Sequence, residues 1–305
     1  MSERPIIALL YDFDKTLCTT DMEDYSFIPS LGYTPAQFWQ KANSFGWENQ
    51  MDGLLAYMYT MIEECREQGI TLNREYLVKC GEAIELFPGV REWFDRINAF
   101  GDSLGVTVEH YVLSSGLKEI IEGSGIAHQF KKIYACEFYY RDGVACWPKL
   151  DVNFTNKTQF VYRINKGVLD VSEDKKLNDS MPDDSKRVPF TNMIYVGDGL
   201  SDVPCMKMMR SYGGQAIAVY RSPIAPVWRN CWPRGVWISS SPPTTGRGRR
   251  WTSRYRTSSA RWPSATHWRR RMPPKCGASA NLTCLIRRRC SEPKQAPAGA
   301  DDARA

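Results

Sequence analysis

The chain has only three histidines among its 305 residues, and none of its ten cysteines forms a CxxC pair or stands at a metal-ligand spacing from a histidine. That leaves no zinc site legible in the sequence, because zinc ligands come in such clusters. Scattered thiols without a framework suit a reducing compartment, so a cytoplasmic location is expected. His110 and His128 stand alone and read as ordinary strand and surface residues. Long apolar runs are missing too. The longest early stretch, Ile6 to Tyr11, is cut by Asp12, far short of the roughly 20 residues a spanning helix needs. Neither a signal peptide nor a membrane partner is expected. There is no internal repeat.

Lysine and aliphatic residues run short in one part of the chain only. Residues 1–220 carry 22 Lys+Arg against 31 Asp+Glu, a net of −9, whereas residues 221–305 carry 18 against 3, a net of +15. The second part has 16 Arg but 2 Lys, with six of the ten Trp and ten of the eighteen Pro. Such a shift marks a boundary near Tyr220. Beyond it no helical or alternating period survives, and few Leu, Ile or Val remain to build a core. Three readings are open for residues 221–305: out-of-frame translation of a GC-rich gene, a solvated disordered extension, or a basic segment whose Arg and Trp contact nucleic acid. The composition favours the first, and nucleic acid is not the expected partner. Under any of them the tail is expected to be disordered, since so aliphatic-poor a sequence cannot offset the entropy of ordering it.

What residues 1–220 do contain is an alternation of strands and helices. Pro5 to Tyr11 reads as a strand buried on both faces of a parallel sheet. Thr34-Pro35-Ala36-Gln37 opens a helix, with Thr as N-cap, Pro at the first position and Gln at the third. Helical patterns follow at about 51–68, 73–84 and 90–100. A second strand spans Val106 to Leu113 and ends at Ser114-Ser115-Gly116, ahead of a short helix. A third lies near Ile133, with a hairpin turn at Arg141-Asp142-Gly143. A helix near Lys157–Asn165 stops at Gly167, and an acidic polar loop fills 170–185. Asn192 to Val196 forms a fourth strand ending in Gly197-Asp198-Gly199, a helix runs to Met209, and Gln215 to Val219 is a fifth strand. This order predicts a doubly wound α/β domain from residues 1–20 and 87–220. The helices of residues 21–86 interrupt it as an inserted cap.

In such sheets ligands sit beyond the carboxyl ends of the strands. Three expected strands end there in polar groups: Asp12 and Asp14, Ser114, and Asp198 with Asp202 four residues on. Asp12 and Asp14 are two apart on an extended backbone and are expected to point the same way. Four converging carboxylates repel one another, and a hard cation such as Mg²⁺ relieves that while taking oxygen ligands. Ser114, just before a helix, is a candidate anion site. Lys157 opens its helix and can neutralise a phosphoryl oxygen, whereas Lys166 at the far end merely suits the helix dipole.

The run Asp12-Phe13-Asp14-Lys15-Thr16-Leu17 resembles the DxDxT signature of the haloacid dehalogenase-like superfamily. Ser114 resembles its second motif, Lys157 its third, and Gly197-Asp198-Gly199-Leu200-Ser201-Asp202 its fourth, all in the family's order. The resemblance covers about the first 220 residues. It implies that Asp12 is a nucleophile forming an aspartyl phosphate and that Asp14 is the acid and then the base. It also implies that Asp12, Asp198, Asp202 and the backbone carbonyl of Asp14 hold Mg²⁺, while Ser114 and Lys157 bind the phosphoryl group. The expected activity is hydrolysis of a small phosphomonoester metabolite. A phosphotransferase or phosphonatase of the same superfamily is the alternative, and a nucleic-acid-binding protein acting through its Arg-rich tail is the alternative of another class. The helical insertion resembles the cap of phosphoserine phosphatase-like members, in which an acidic residue at the place of Asp21 meets the substrate's amino group. That match is loose, and a turn residue is the plainer reading of Asp21. No motif names the substrate or sets an oligomeric state.

Overall fold

The computed structural model of the chain describes residues 4–220 and 236–239, which belong to one compact unit, Met1–Pro242. In chain order the strands and α-helices are β1 (Ile6–Tyr11), α1 (Phe27–Ser30), α2 (Pro35–Glu48), α3 (Gly53–Glu67), α4 (Arg74–Gly81), α5 (Val90–Ser103), β2 (Thr107–Leu117) and α6 (Lys118–Gly123). Then come β3 (Lys132–Arg141), β4 (Val144–Leu150), α7 (Lys157–Lys166), α8 (Asp174–Asn178), β5 (Met193–Gly197), α9 (Val203–Ser211), β6 (Gln215–Tyr220) and β7 (Val236–Ser239). Among these residues no helix is long and apolar enough to cross a membrane.

The strands form one sheet in the order β4-β3-β2-β1-β5-β6-β7. All neighbours are parallel except β3 and β4. β1 lies at the centre, and Ile7, Ala8, Leu9 and Leu10 are each at most 1% exposed. A continuous apolar run is what a strand covered on both faces requires, and burying each large side chain contributes about 1.5–3 kcal/mol. The hairpin between β3 and β4 turns at Asp142 and Gly143, both at positive φ (52° and 79°), the conformation a two-residue turn needs to match strand twist.

Residues between β1 and α5, where an insertion was expected, carry helices α1 to α4. The neck of this segment is a backbone bridge between Cys18 and Leu86. α2 starts as expected: the Thr34 N–H donates to the Gln37 side chain and the Gln37 N–H to the Thr34 hydroxyl, satisfying donors that have no partner in the first turn. α4 rests on α6 at a crossing so tight that a Cβ on Gly81 would lie 2.1 Å from the Ile120 carbonyl oxygen, and one on Gly123 1.8 Å from that of Val78. Only glycine fits at either place.

Three local features differ from the sequence expectation. β2 continues through Ser114, Ser115 and Gly116 to Leu117, with its pairing to β3 irregular between Leu113 and Leu117. The acidic loop contains the short helix α8, pinned from α7 by Arg163 to Asp174 and by Lys166 to the carbonyls of Leu177 and Asp179. Residues Val236–Ser239 add a seventh strand parallel to β6, where no ordered element was expected after residue 220. The remainder of 221–305 lies outside the described residues.

Candidate active site

Asp12 follows β1 directly, and its N–H still donates to the Val196 carbonyl of β5 at 2.8 Å. The sheet register therefore fixes it. At the end of β5, Gly197 leads into Asp198, and Asp202 stands at the start of α9. Carboxylate oxygens of Asp12, Asp198 and Asp202 lie within 4.8 Å of one another. Asp202 folds back against the strand: its Oδ2 accepts from the Gly199 N–H at 3.0 Å, and a Cβ on Gly197 would lie 2.4 Å from that oxygen. This is why the strand ends in glycine. The Tyr195 hydroxyl donates to Asp202 Oδ1 at 2.7 Å.

Lys157, first residue of α7, is fully buried, and its ammonium donates to Asp12 Oδ1 at 2.9 Å and Asp202 Oδ1 at 3.0 Å. Burial alone would lower its pKa, but Asp12 and Asp202 outweigh that and raise it, so it stays charged. Lys166 lies at the other end of the helix with the two loop carbonyls, so of the two lysines only Lys157 reaches the carboxylates.

One cation does not balance the group. Burial, with the Asp202 charge added, pushes Asp12 up to about 6 against the pull of Lys157. Burial and the charges of Asp12 and Asp202 push Asp198 up to about 8. Among the described residues, a long contact from the Thr16 hydroxyl, at 3.5 Å, is the hydrogen bond that reaches Asp198. Hard oxygen donors this close, with charge left over, fit a divalent cation such as Mg²⁺, which takes carboxylate oxygens and keeps room for water or phosphate.

Asp14 stands apart from the three clustered carboxylates, although it was expected to converge with them. The chain turns sharply after Phe13, whose carbonyl accepts from the N–H groups of Thr16, Leu17 and Cys18, with Lys15 at φ 54°. The Asp14 carboxylate is outside the group of three, and its Oδ1 accepts from the Met22 N–H at 2.8 Å and the Cys18 thiol. Burial, then the charges of Glu23, Asp12 and Asp21, raise its pKa well above the usual range. Such a carboxyl holds a proton that it can give away.

Ser114 is also displaced from its expected setting. It lies within β2, not at a helix start, fully buried, with its Oγ accepting from the Gly116 N–H at 3.1 Å. Because Val112 is level with Tyr11, Ser114 stands one residue beyond the level of Asp12. Asp21 binds Lys15 at 2.5 Å, with 32% of its side chain exposed. The sequence reading missed Tyr195, which looks like one more core residue of β5, and Glu23, a buried acid whose only signal is its place beside the loosely matched Asp21.

The sheet thus gathers carboxylates at the carboxyl ends of β1 and β5 around a lysine from α7. The chain belongs to the haloacid dehalogenase-like hydrolase family, whose model matches residues 9–207. An uncharacterized protein of Borreliella burgdorferi is 29% identical over 237 residues, covering 69% of this chain and 81% of that one. Among solved structures, a family hydrolase from Salmonella enterica serovar Typhi is similar at 18% identity, covering 75% of this chain and 66% of that one, with a TM-score of 0.48. A substrate-bound phosphoserine phosphatase is similar at 15% identity over 77% of this chain and 94% of that one, with a TM-score of 0.49.

Proposed function

We propose that the chain is a Mg²⁺-dependent phosphatase that hydrolyses a small phosphomonoester through an aspartyl phosphate on Asp12. The observation that carries this reading is the buried Lys157 ammonium joining Asp12 and Asp202 beside Asp198. Phosphoryl transfer asks mainly for positioning and charge stabilisation. A carboxylate nucleophile next to a fixed cation, in a site shielded from water, supplies both.

In the first step an Asp12 carboxylate oxygen forms a bond to phosphorus as the ester P–O bond breaks. The departing alkoxide takes the proton of Asp14, whose raised pKa suits an acid. In the second step a water oxygen bonds to phosphorus, its proton passes to Asp14, and the bond between phosphorus and Asp12 breaks to release inorganic phosphate. Lys157 holds Asp12 in place and neutralises charge on the transferring group, and Ser114 would bind the same oxygens. Asp12, Asp198 and Asp202, with the Asp14 carbonyl, would hold Mg²⁺, which when bound neutralises phosphate charge. The helices of residues 21–86 act as a cap that keeps bulk water out.

The test is phosphate release by the full chain from a panel of phosphorylated metabolites with Mg²⁺. Release that stops with EDTA and returns with Mg²⁺, but poorly with Ca²⁺, is expected. Normal rates in metal-free protein would sink the reading, and transfer to an acceptor without free phosphate would move it to a phosphotransferase.

A further inference from the structure

Two buried tyrosines flank Leu10 in one row across the sheet: Tyr111 of β2 on one side and Tyr195 of β5 on the other. Residues level with one another on paired strands share a face, yet the two hydroxyls run to opposite ends of it. Tyr111 donates to Glu109 Oε2 at 2.6 Å, two residues back on its own strand, and accepts from Arg187. Tyr195 reaches past the end of β5 and donates to Asp202 Oδ1 at 2.7 Å. An apolar side chain would fill either place in the core, because a buried phenol hydroxyl is a cost unless it is bonded.

The carboxylate that Tyr195 meets has few acceptor positions left. Asp202 Oδ1 also receives the Lys157 ammonium at 3.0 Å, and Oδ2 receives the Gly199 N–H at 3.0 Å. A carboxylate offers about four such positions, so both oxygens are held and the group cannot turn. Lys157 spends one N–H on Asp202 and one on Asp12 Oδ1 at 2.9 Å. An ammonium has three donors, and the third remains for a phosphoryl oxygen. Tyr195 and Lys157 therefore compete for a single oxygen. A shared acceptor holds each donor less tightly, which tempers the pull of Asp202 on the ammonium.

We propose that Tyr195 is a positioning residue for Lys157: by occupying Asp202 Oδ1 and fixing that carboxylate, its hydroxyl keeps the ammonium shared with Asp12 and aimed at the phosphoryl group. The inference rests on the phosphatase reading above. Without the hydroxyl, Asp202 Oδ1 keeps the ammonium as its one donor, and the carboxylate can turn about its remaining bond to Gly199. The ammonium then settles on Asp202 at the expense of Asp12.

The experiment compares Tyr195→Phe with Tyr111→Phe in the full-length protein, each change removing a hydroxyl and keeping the ring and its packing. Both are expected to lower the melting temperature by about 2–4 °C, the worth of a buried hydrogen bond. With p-nitrophenyl phosphate and saturating Mg²⁺, Tyr195→Phe is expected to lower kcat about 10-fold and to leave KM within about twofold, as when stabilisation of the transition state is lost. Tyr111→Phe is expected to change neither. The Mg²⁺ dissociation constant, measured by calorimetry, should be the same in the wild type and Tyr195→Phe. In a crystal structure of metal-free Tyr195→Phe, the Lys157 ammonium should have left Asp12 for Asp202. An unchanged kcat, an equal loss in both variants, a loss carried by KM or by weaker Mg²⁺ binding, or a Lys157–Asp12 bond still at 2.9 Å would each overturn the proposal. If the wild type releases no phosphate from this ester or from the metabolite panel, the phosphatase reading fails. The place of Lys157 in the variant crystal then decides the Tyr195 proposal by itself.

Discussion

The two ends of the central strands treat buried acids in opposite ways. Near the amino end of β2, Glu109 receives Arg187 through both oxygens (2.8 and 2.5 Å), the Tyr111 hydroxyl at 2.6 Å, and Lys131. Burial would raise its pKa, but those donors outweigh it and hold the group at about 2. At the carboxyl ends of β1 and β5 Lys157 is bonded to Asp12 and Asp202, the charges of Lys15 and Lys157 reach Asp198 only from a distance, and Asp12 and Asp198 are pushed up to about 6 and 8. The same kind of side chain thus reinforces the fold at one end and is left short of charge at the other. A deficit that folding alone does not favour is the mark of a site completed by something else.

The largest effect is expected from Asp12→Asn at the deficient end. Phosphate release should fall by on the order of 10³-fold or more, as when a nucleophile is removed, while the far end keeps the fold intact by circular dichroism. Full turnover in a preparation free of host phosphatase would remove Asp12 from the chemistry.

Lys157→Ala comes next. It should lower turnover by about 10²-fold and also cost roughly 3–5 kcal/mol of stability, since Asp12 and Asp202 are left buried without their cation. Lys166→Ala frees only two loop carbonyls and should do neither. Urea titration and steady-state rates on both variants separate these outcomes, and the reverse ranking would transfer the phosphoryl-binding role to Lys166.

Glu109→Gln tests the balanced end. Its charged hydrogen bonds should be worth about 1–3 kcal/mol at neutral pH, with turnover unchanged. The sign of the pH dependence follows from a depressed folded pKa. The contribution is complete above the unfolded value of roughly 4.3 and is lost as pH falls from there toward the folded value of about 2. Wild-type and variant melting temperatures should therefore converge in acid, and a gap that persists at pH 2 would refute the pairing.

Asp198→Asn should change stability with the opposite sign. In metal-free protein the folded state holds a proton on Asp198 up to about pH 8, whereas the unfolded chain releases it near 4, so stability declines as pH rises through that window. The amide removes the penalty. Its advantage in melting temperature should grow from pH 5 to pH 8, by a few degrees, and reverse when Mg²⁺ is added, because the metal binds only the folded wild type tightly. No change with pH would mean that Asp198 feels neither Asp12 nor Asp202.

Much of this arrangement is legible in residues alone. The apolar run before Asp12, the Thr34 cap with Gln37, and the glycine after Lys166 each follow from local rules, and each is in place. The departures arise where tertiary contacts decide. Asp14 leaves the line of Asp12 because the Phe13 carbonyl draws three successive N–H groups into a turn, which a period-two reading of an extended chain cannot anticipate. α8 forms in a polar loop because Arg163 and Lys166 reach it from another helix. β7 is four residues set in a stretch without periodicity, and pairing with β6, not its own pattern, defines it.

The glycine crossing of α4 and α6 has a mechanical consequence for the insertion. With the backbones of Gly81 and Gly123 pressed together and no side chain between them, α4 has no compressible layer on which to slide, and the Arg74–Glu122 ion pair fastens its other end. α4 therefore travels with the sheet as a fixed post. The α2–α3 pair is tied differently, through the Tyr57 hydroxyl on the Ser115 carbonyl and through Asp52, the N-cap of α3, which accepts from the Asn153 amide at 3.4 Å.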